Sequence, residues 1–247
     1  FPNPKERSLM DEKRRTARWR DRRIIYNNDG DDVREAANHH EAHWQLLQRS
    51  GGGLAEDFLN ARSTPLLGTQ VDSIWYSTCF AGLTFSHHTK VGDFYGKGVP
   101  LELAESGRDN LQVQVDFCHQ NGMEAFWSLR MNDTHDFLPE GLRTNFHRLA
   151  PLKQQHPEYI MGEPSDWGTY PTGLKRQWTS LDFSYPEVRE HILLLIQEVC
   201  QGYDVDGVEL DFFRHPRFFP PSMDGLPVEP RHLDMMTDLL RRVKIAA

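Results

Sequence analysis

The segment GVELDFF, residues 207–213, sets two carboxylates, Glu209 and Asp211, two residues apart in an otherwise apolar run. Alternate residues of a β-strand face opposite sides. Glu209 and Asp211 therefore share one face with Gly207 and Phe213, and Val208, Leu210 and Phe212 form the other. Burying a carboxylate without a partner costs on the order of several kcal/mol, so a strand that carries two calls for a chemical reason. Two carboxylates in different surroundings can divide into a proton donor and a base or nucleophile, which is what hydrolysis of a glycosidic bond needs. The segment MEAFWSLRMND, residues 123–133, repeats the pattern. Ala125, Trp127, Leu129 and Met131 make an apolar face, and Glu124, Phe126, Ser128, Arg130 and Asn132 the opposite one. Arg130 is the expected partner of Glu209 or Asp211, keeping one carboxylate ionised while a drier neighbour has its pKa raised.

Further ionisable residues follow each apolar run. Asn27, Asn28, Asp29, Asp31 and Asp32 come after the first, and Tyr76, Ser77 and Thr78, then His87 and His88, after the second. Asn132, Asp133, His135 and Asp136 follow the third, Arg214 and His215 the fourth. Glu209 is the expected general acid/base, and Asp211 the nucleophile or electrostatic support. Asn28, Asp29, Tyr76, His87, His88, Arg130, Asn132, Asp133, His135, Arg214 and His215 are the expected substrate contacts. Phe80, Phe85, Tyr95, Trp167, Tyr170 and Trp178 are expected to stack on sugar rings. Two Cα atoms at i and i+2 of a strand lie roughly 6.5–7 Å apart, which suits either stereochemical outcome. A carboxylate from a later strand is an equal source of the second group.

Other chemistries fit less well. No GxGxxG follows a strand, and there is no P-loop and no GxSxG elbow. NNDGDD lacks the spacing and the final Glu of a calcium loop. HHEAH sets His39 and His43 four apart, but its Glu is misplaced for HExxH, and a solvated helix face is expected. GGG at 51–53 reads as a flexible loop. Asp29 with His87 or His88 would be the ligand set of a metal-dependent hydrolase or deacetylase, kept as a minor alternative. No cofactor and no metal site is expected.

These residues need elements to hold them. Strands are expected over 23–28, 71–78, 123–132 and 205–213, and helices over 33–48, 109–121, 186–201 and 229–243. Strands alternating with helices imply βαβ units and a parallel sheet, whose site lies where the loops leave the carboxyl ends of the strands. The loops 78–109 and 133–186 are long for a compact domain, and such loops are usually functional. The expected organisation is a lead-in over 1–21 and one α/β domain over 22–247. Lys+Arg number 28 against 36 Asp+Glu, a net charge of −8, which disfavours nucleic acid as a partner. No apolar run approaches the roughly 20 residues of a membrane span. Cys79, Cys118 and Cys200 have no zinc or disulfide spacing and read as small buried hydrophobes. The chain begins at Phe1 rather than Met. A removed secretory signal would explain that, and so would a trimmed chain; of the two, secretion or a periplasmic location is favoured.

GYDVDGVELDFFRHPRFF, SLRMNDTHD, RRIIYNNDGDDV and the YPEVRE helix together resemble bacterial proteins of the glycosyl hydrolase family 10-like group, from about Arg22 onward. The resemblance implies a (β/α)8 TIM-barrel fold and carbohydrate hydrolysis, with the acid/base at the end of the fourth strand, at Glu209 or Asp211. Only four βα units are visible, where a closed barrel has eight. Either the chain is the N-terminal half of a barrel, closed by a missing part or a partner chain, or strands hide in the long loops, for which YIMG at 159–162 and TSLDFS at 179–184 are the candidates. A carbohydrate-binding barrel without catalysis is the main alternative to an enzyme.

Overall fold

The computed structural model describes residues 24–33, 54–97, 99–137, 149–166 and 177–247, with Ser8, Glu12 and Arg15. In chain order the elements are β1 (Ile25–Asn28), α1 (Leu54–Arg62), β2 (Ser73–Ser77), β3 (Cys79–Ala81), β4 (Thr84–Phe85), β5 (Asp93–Phe94), α2 (Val99–Glu105), α3 (Asn110–Gln120) and β6 (Glu124–Arg130). Then come α4 (Pro151–Gln155), α5 (Pro186–Gly202), β7 (Gly207–Asp211), α6 (Pro220–Met223) and α7 (Pro230–Ala246).

Local sequence explains the main helices. In α5 the first-turn proline, Pro186, loses no hydrogen bond there, and Glu187 meets the positive end of the helix. Val188, Ile192, Leu195, Ile196 and Val199 then recur at helical spacing and are all buried. Asp109 caps α3 by accepting the Gln112 N–H at 2.8 Å. Glu229 and His232 close the start of α7 as a reciprocal capping pair.

The four expected strands all form, each two to four residues shorter than expected. They make one parallel sheet in the order β1-β2-β6-β7, so spatial order follows chain order. Register places Tyr76 beside Trp127, Ser128 beside Glu209 and Arg130 beside Asp211. One face carries Ile74, Tyr76, Ala125, Trp127 and Leu129 into the core. The other carries Asn27, Trp75, Phe126, Ser128 and Glu209. There the Trp75 and Phe126 rings stack at 5.0 Å. Gly207 makes room for them, because a Cβ in its place would fall 2.3 Å from the Phe126 ring.

The sheet also curls. Neighbouring strands lie about 4.8 Å apart, so a flat sheet would hold β1 and β7 roughly 14 Å from each other. Yet Asn27 Nδ2 on β1 donates to Glu209 Oε2 on β7 at 2.7 Å. Side chains meet across three strand spacings only if both edges bend toward the Glu209 face.

Some expectations change. Tyr159–Gly162 and the segment 179–184 add no strand to the sheet; they share one antiparallel bridge, Ile160 to Leu181. Among the described residues the main sheet has four strands. The loop after β2 instead folds its own small sheet, β3-β4-β5. Strands of two or three residues leave no periodicity to read. The three cysteines are free and buried, as expected. No helix among the described residues is long and apolar enough to cross a membrane. Apart from Ser8, Glu12 and Arg15, the lead-in 1–21 lies outside the described residues, and so do 34–48 of the first expected helix, the HHEAH motif and the three glycines at 51–53.

Candidate functional site

The ends of β1, β6 and β7 meet around a buried carboxylate. Asp133, three residues past Arg130, accepts the backbone N–H groups of Gly82 (2.8 Å) and His135 (2.9 Å) on Oδ1. Its Oδ2 meets His135 Nδ1 at 2.7 Å and Arg130 Nη1 at 3.4 Å. Burial alone would raise the Asp133 carboxyl, but the hydrogen bond and charge of His135, then the charge of Arg130, hold it far below the usual carboxylate range. The group is an anion at any working pH.

Gly82 is part of this cradle. Its φ is +58°, and an added Cβ would sit 2.2 Å from Asp136 Oδ2. No other residue both adopts that backbone and brings its N–H to Asp133. Behind it, Lys153 Nζ bonds Asp136 Oδ2 at 2.8 Å, and both side chains are buried.

Arg130 spans from this hub to the end of β1. Nη2 bonds Asp29 Oδ1 at 2.7 Å, and Nη1 donates to the Cys79 carbonyl at 3.2 Å. Arg214, after β7, approaches Asp29 Oδ2 at 3.5 Å. Burial pushes the Asp29 carboxyl up, but Arg130 and then Arg214 outweigh it, and it stays below its ordinary value. Asp133, Arg130, Asp29 and Arg214 thus form a line of alternating charge across three strand ends. His215 closes the cluster. Its ring meets that of His135 edge-on at 4.9 Å, and its Nδ1 accepts the Thr134 N–H at 3.2 Å. Burial lowers its pKa to about 4, so the ring is neutral and the 3.7 Å approach to Asp133 is no ion pair.

Glu209 and Asp211 lie beside this network and do not enter it. Both are half-buried. Asn27 holds Glu209, and Asp211 Oδ1 accepts the N–H groups of Phe213 (2.8 Å) and Arg214 (3.1 Å), turning the chain off the strand. The expected pairing of Arg130 with Glu209 or Asp211 is corrected: its ion pairs go to Asp29 and Asp133. Asp133 is fully buried, whereas Glu209 and Asp211 reach solvent.

Several expected substrate contacts are already engaged inside the protein. Asn132 takes the Leu181 N–H on Oδ1 (2.8 Å) and donates Nδ2 to the Leu181 and Arg217 carbonyls, so it clamps loop backbone. Asn28 is buried, bonding Asp32 at 2.9 Å and accepting the Gly30 N–H at 3.0 Å. Tyr76 points into the core, its OH on Asp32. His87 is buried on the Trp127 face, and His88 lies half-exposed near Asp109. Asp29 belongs with Arg130 on the opposite face, so the Asp29–His87/His88 ligand set is not assembled. Of the loop aromatics, Phe80, Phe85, Tyr95 and Trp178 are core residues, and Trp167 and Tyr170 lie outside the described residues. Rings that reach solvent include Trp75 and Phe126 on the Glu209 face and Phe213, 92% exposed, just past Asp211. Period-2 reading of residues 73–77 would have placed Trp75 there.

The donor atoms of Asp133, His135 and His215 lie within 4.8 Å of one another, a spacing that can hold a metal ion.

Residues 64–222 match the family model described as "Glycosyl hydrolase-like 10". A search of curated proteins returned no match. Similar solved structures include an α-L-fucosidase isoenzyme 2 from Paenibacillus thiaminolyticus, with a TM-score of 0.44 and 15% identity over 92% of this chain and 29% of that one. A noncanonic maltogenic α-amylase from Thermotoga neapolitana has a TM-score of 0.45 and 16% identity over 90% of this chain and 43% of that one. An α-galactosidase from Thermus thermophilus has a TM-score of 0.42 and 15% identity, covering 96% and 40%. The chain spans less than half the length of each of these proteins.

Proposed function

This chain belongs to the glycosyl hydrolase-like 10 family, and we propose that it hydrolyses a glycosidic bond in an oligo- or polysaccharide, with Glu209 as general acid/base and Asp211 as the second carboxylate. The observation that carries this reading is the contact of Asn27 with Glu209 across the curled sheet. One Glu209 oxygen is fixed by an amide donor, which orients the carboxyl and leaves the other oxygen for a glycosidic oxygen. Trp75 and Phe126 share that face and supply flat apolar rings for a sugar. Asp211, two residues further out, is held by two backbone N–H groups and suits a nucleophile or a stabiliser of positive charge at the anomeric carbon. The Asp29–Arg130–Asp133 line positions the strand ends and offers Asp29 and Arg214 to hydroxyls.

The architecture belongs to the same proposal. Four parallel strands in chain order, curled toward one face, are the arrangement of the first half of a (β/α)8 barrel, and the carboxylates stand at the end of the fourth strand.

Release of reducing sugar from a panel of oligo- and polysaccharides tests the proposal, with wild type beside Glu209→Gln. The expected result is release by wild type and a loss of roughly 10²-fold or more in the variant, with sugar affinity kept. Equal turnover by the two proteins would refute the role of Glu209. Sugar binding without release by wild type would mark a carbohydrate-binding domain.

A further inference from the structure

Three donor atoms converge where the loops after β6 and β7 cross, and the roles given to Glu209 and Asp211 use none of them. Asp133 Oδ2 lies 2.7 Å from His135 Nδ1 and 3.7 Å from His215 Nδ1. We propose that Asp133, His135 and His215 bind a divalent transition-metal ion. Two imidazoles and a carboxylate are the donor set that suits Zn2+. At ligand bonds of about 2.1 Å, two ligands of a tetrahedral ion stand roughly 3.4 Å apart. The two distances bracket that value, and all three donor atoms lie within 4.8 Å of one another.

The cluster is built for this. The Gly82 and His135 N–H groups fix Asp133 Oδ1 and leave Oδ2 aimed at the imidazoles. Pro216 confines the backbone of His215 to extended conformations. Three protein ligands leave a fourth position open, and solvent reaches His135 (29% exposed) and His215 (14%). The ion replaces a proton on His135 Nδ1 and takes the lone pair that His215 gives to Thr134. Arg130 repels it from 3.4 Å beyond Asp133, but that guanidinium is already shared between two carboxylates. The bound ion ties the β6 loop to the β7 loop beside Asp211, with its open position free for water or a sugar hydroxyl.

Metal binding itself is the readout, so the outcome does not depend on hydrolytic activity. The chain, purified through chelator and dialysed, is titrated with Zn2+ by calorimetry and with Co2+ by visible absorption. One saturable site per chain is expected, together with cobalt bands of nitrogen ligation and a raised melting temperature. His135→Gln and His215→Gln should each weaken binding roughly 100-fold, and His39→Ala/His43→Ala should leave it unchanged. A wild type that shows no saturable binding overturns the proposal, as does binding that survives the double His135→Gln/His215→Gln variant or is lost with His39 and His43. A second measurement needs no variant: Co2+ should give hyperfine-shifted imidazole signals from two histidines, and signals from none or only one overturn the site.

Discussion

His87 makes the fold sensitive to acid, by an amount that follows from its surroundings. The ring is fully buried, 5.3 Å from Phe85, 5.7 Å from Trp127 and 5.8 Å from Tyr203. Thr78 Oγ1 accepts the Trp127 Nε1 N–H at 2.8 Å and shares a 2.7 Å hydrogen bond with His87 Nδ1. Burial lowers its pKa from 6.5 to about 4, against the opposing pull of Asp109 and Glu198 and with a small push from His88. Between those values the unfolded chain binds a proton that the folded chain refuses, so stability falls as pH falls through 6.5 toward 4. The loss is about 2 kcal/mol by pH 5 and approaches about 3.4 kcal/mol below pH 4. His215, also lowered to about 4, adds a loss of the same sign. Asp32 works the other way: burial raises its carboxyl to about 6, so the folded chain takes up its proton first and gains stability over the same range. The wild-type curve sums these terms, and a variant isolates one of them. Urea unfolding of wild type and His87→Gln, followed by tryptophan fluorescence at pH 7.5 and pH 5, separates the histidine, because whatever the substitution costs at pH 7.5 cancels from the difference. His87→Gln should lose about 2 kcal/mol less than wild type between the two pH values. Identical slopes would refute the reasoning.

Lys153→Met leaves Asp136 buried with only Thr179 as a partner among the described residues and should cost about 3–5 kcal/mol in urea unfolding at pH 7. Removing both charges, as Lys153→Met/Asp136→Leu, should recover most of that. Gly82→Ala forces a side chain into a left-handed backbone and onto Asp136, for an expected loss of about 2–5 kcal/mol by the same assay.

The four sheet strands were legible because each is an apolar run ended by polar residues, and because burial on one face writes a period of two into Trp127–Leu129–Met131 and Val208–Leu210–Phe212. Three helices were legible from their ends, at Asp109, Pro186 and Glu229, whereas α1 and α2 were not expected. The small sheet after β2 was not. Its strands hold two or three residues, and their order depends on contacts such as Asp93 N–H to the Leu83 carbonyl that no local pattern records. Its aromatics look the same in sequence whether they line a mouth or fill a core. Phe85 is wholly buried because the loop folds back over Trp127, a tertiary event.

Residue types at the strand ends were equally plain, but their partners were not, and Arg130 shows why. Alternation and register put its Cα beside that of Asp211, which makes Asp211 the nearest carboxylate by strand position. The guanidinium nevertheless turns to Asp133 and Asp29. An ion pair gains most where water is least available, since the attraction between two charges grows as the local dielectric falls, and an unpaired charge costs most in the same place. Asp133 is sealed beneath the β3–β4 turn and would be intolerable without a cation, whereas Asp211 is half-buried and keeps contact with solvent. Position along a strand says which groups can meet, but depth beneath the loops decides which do.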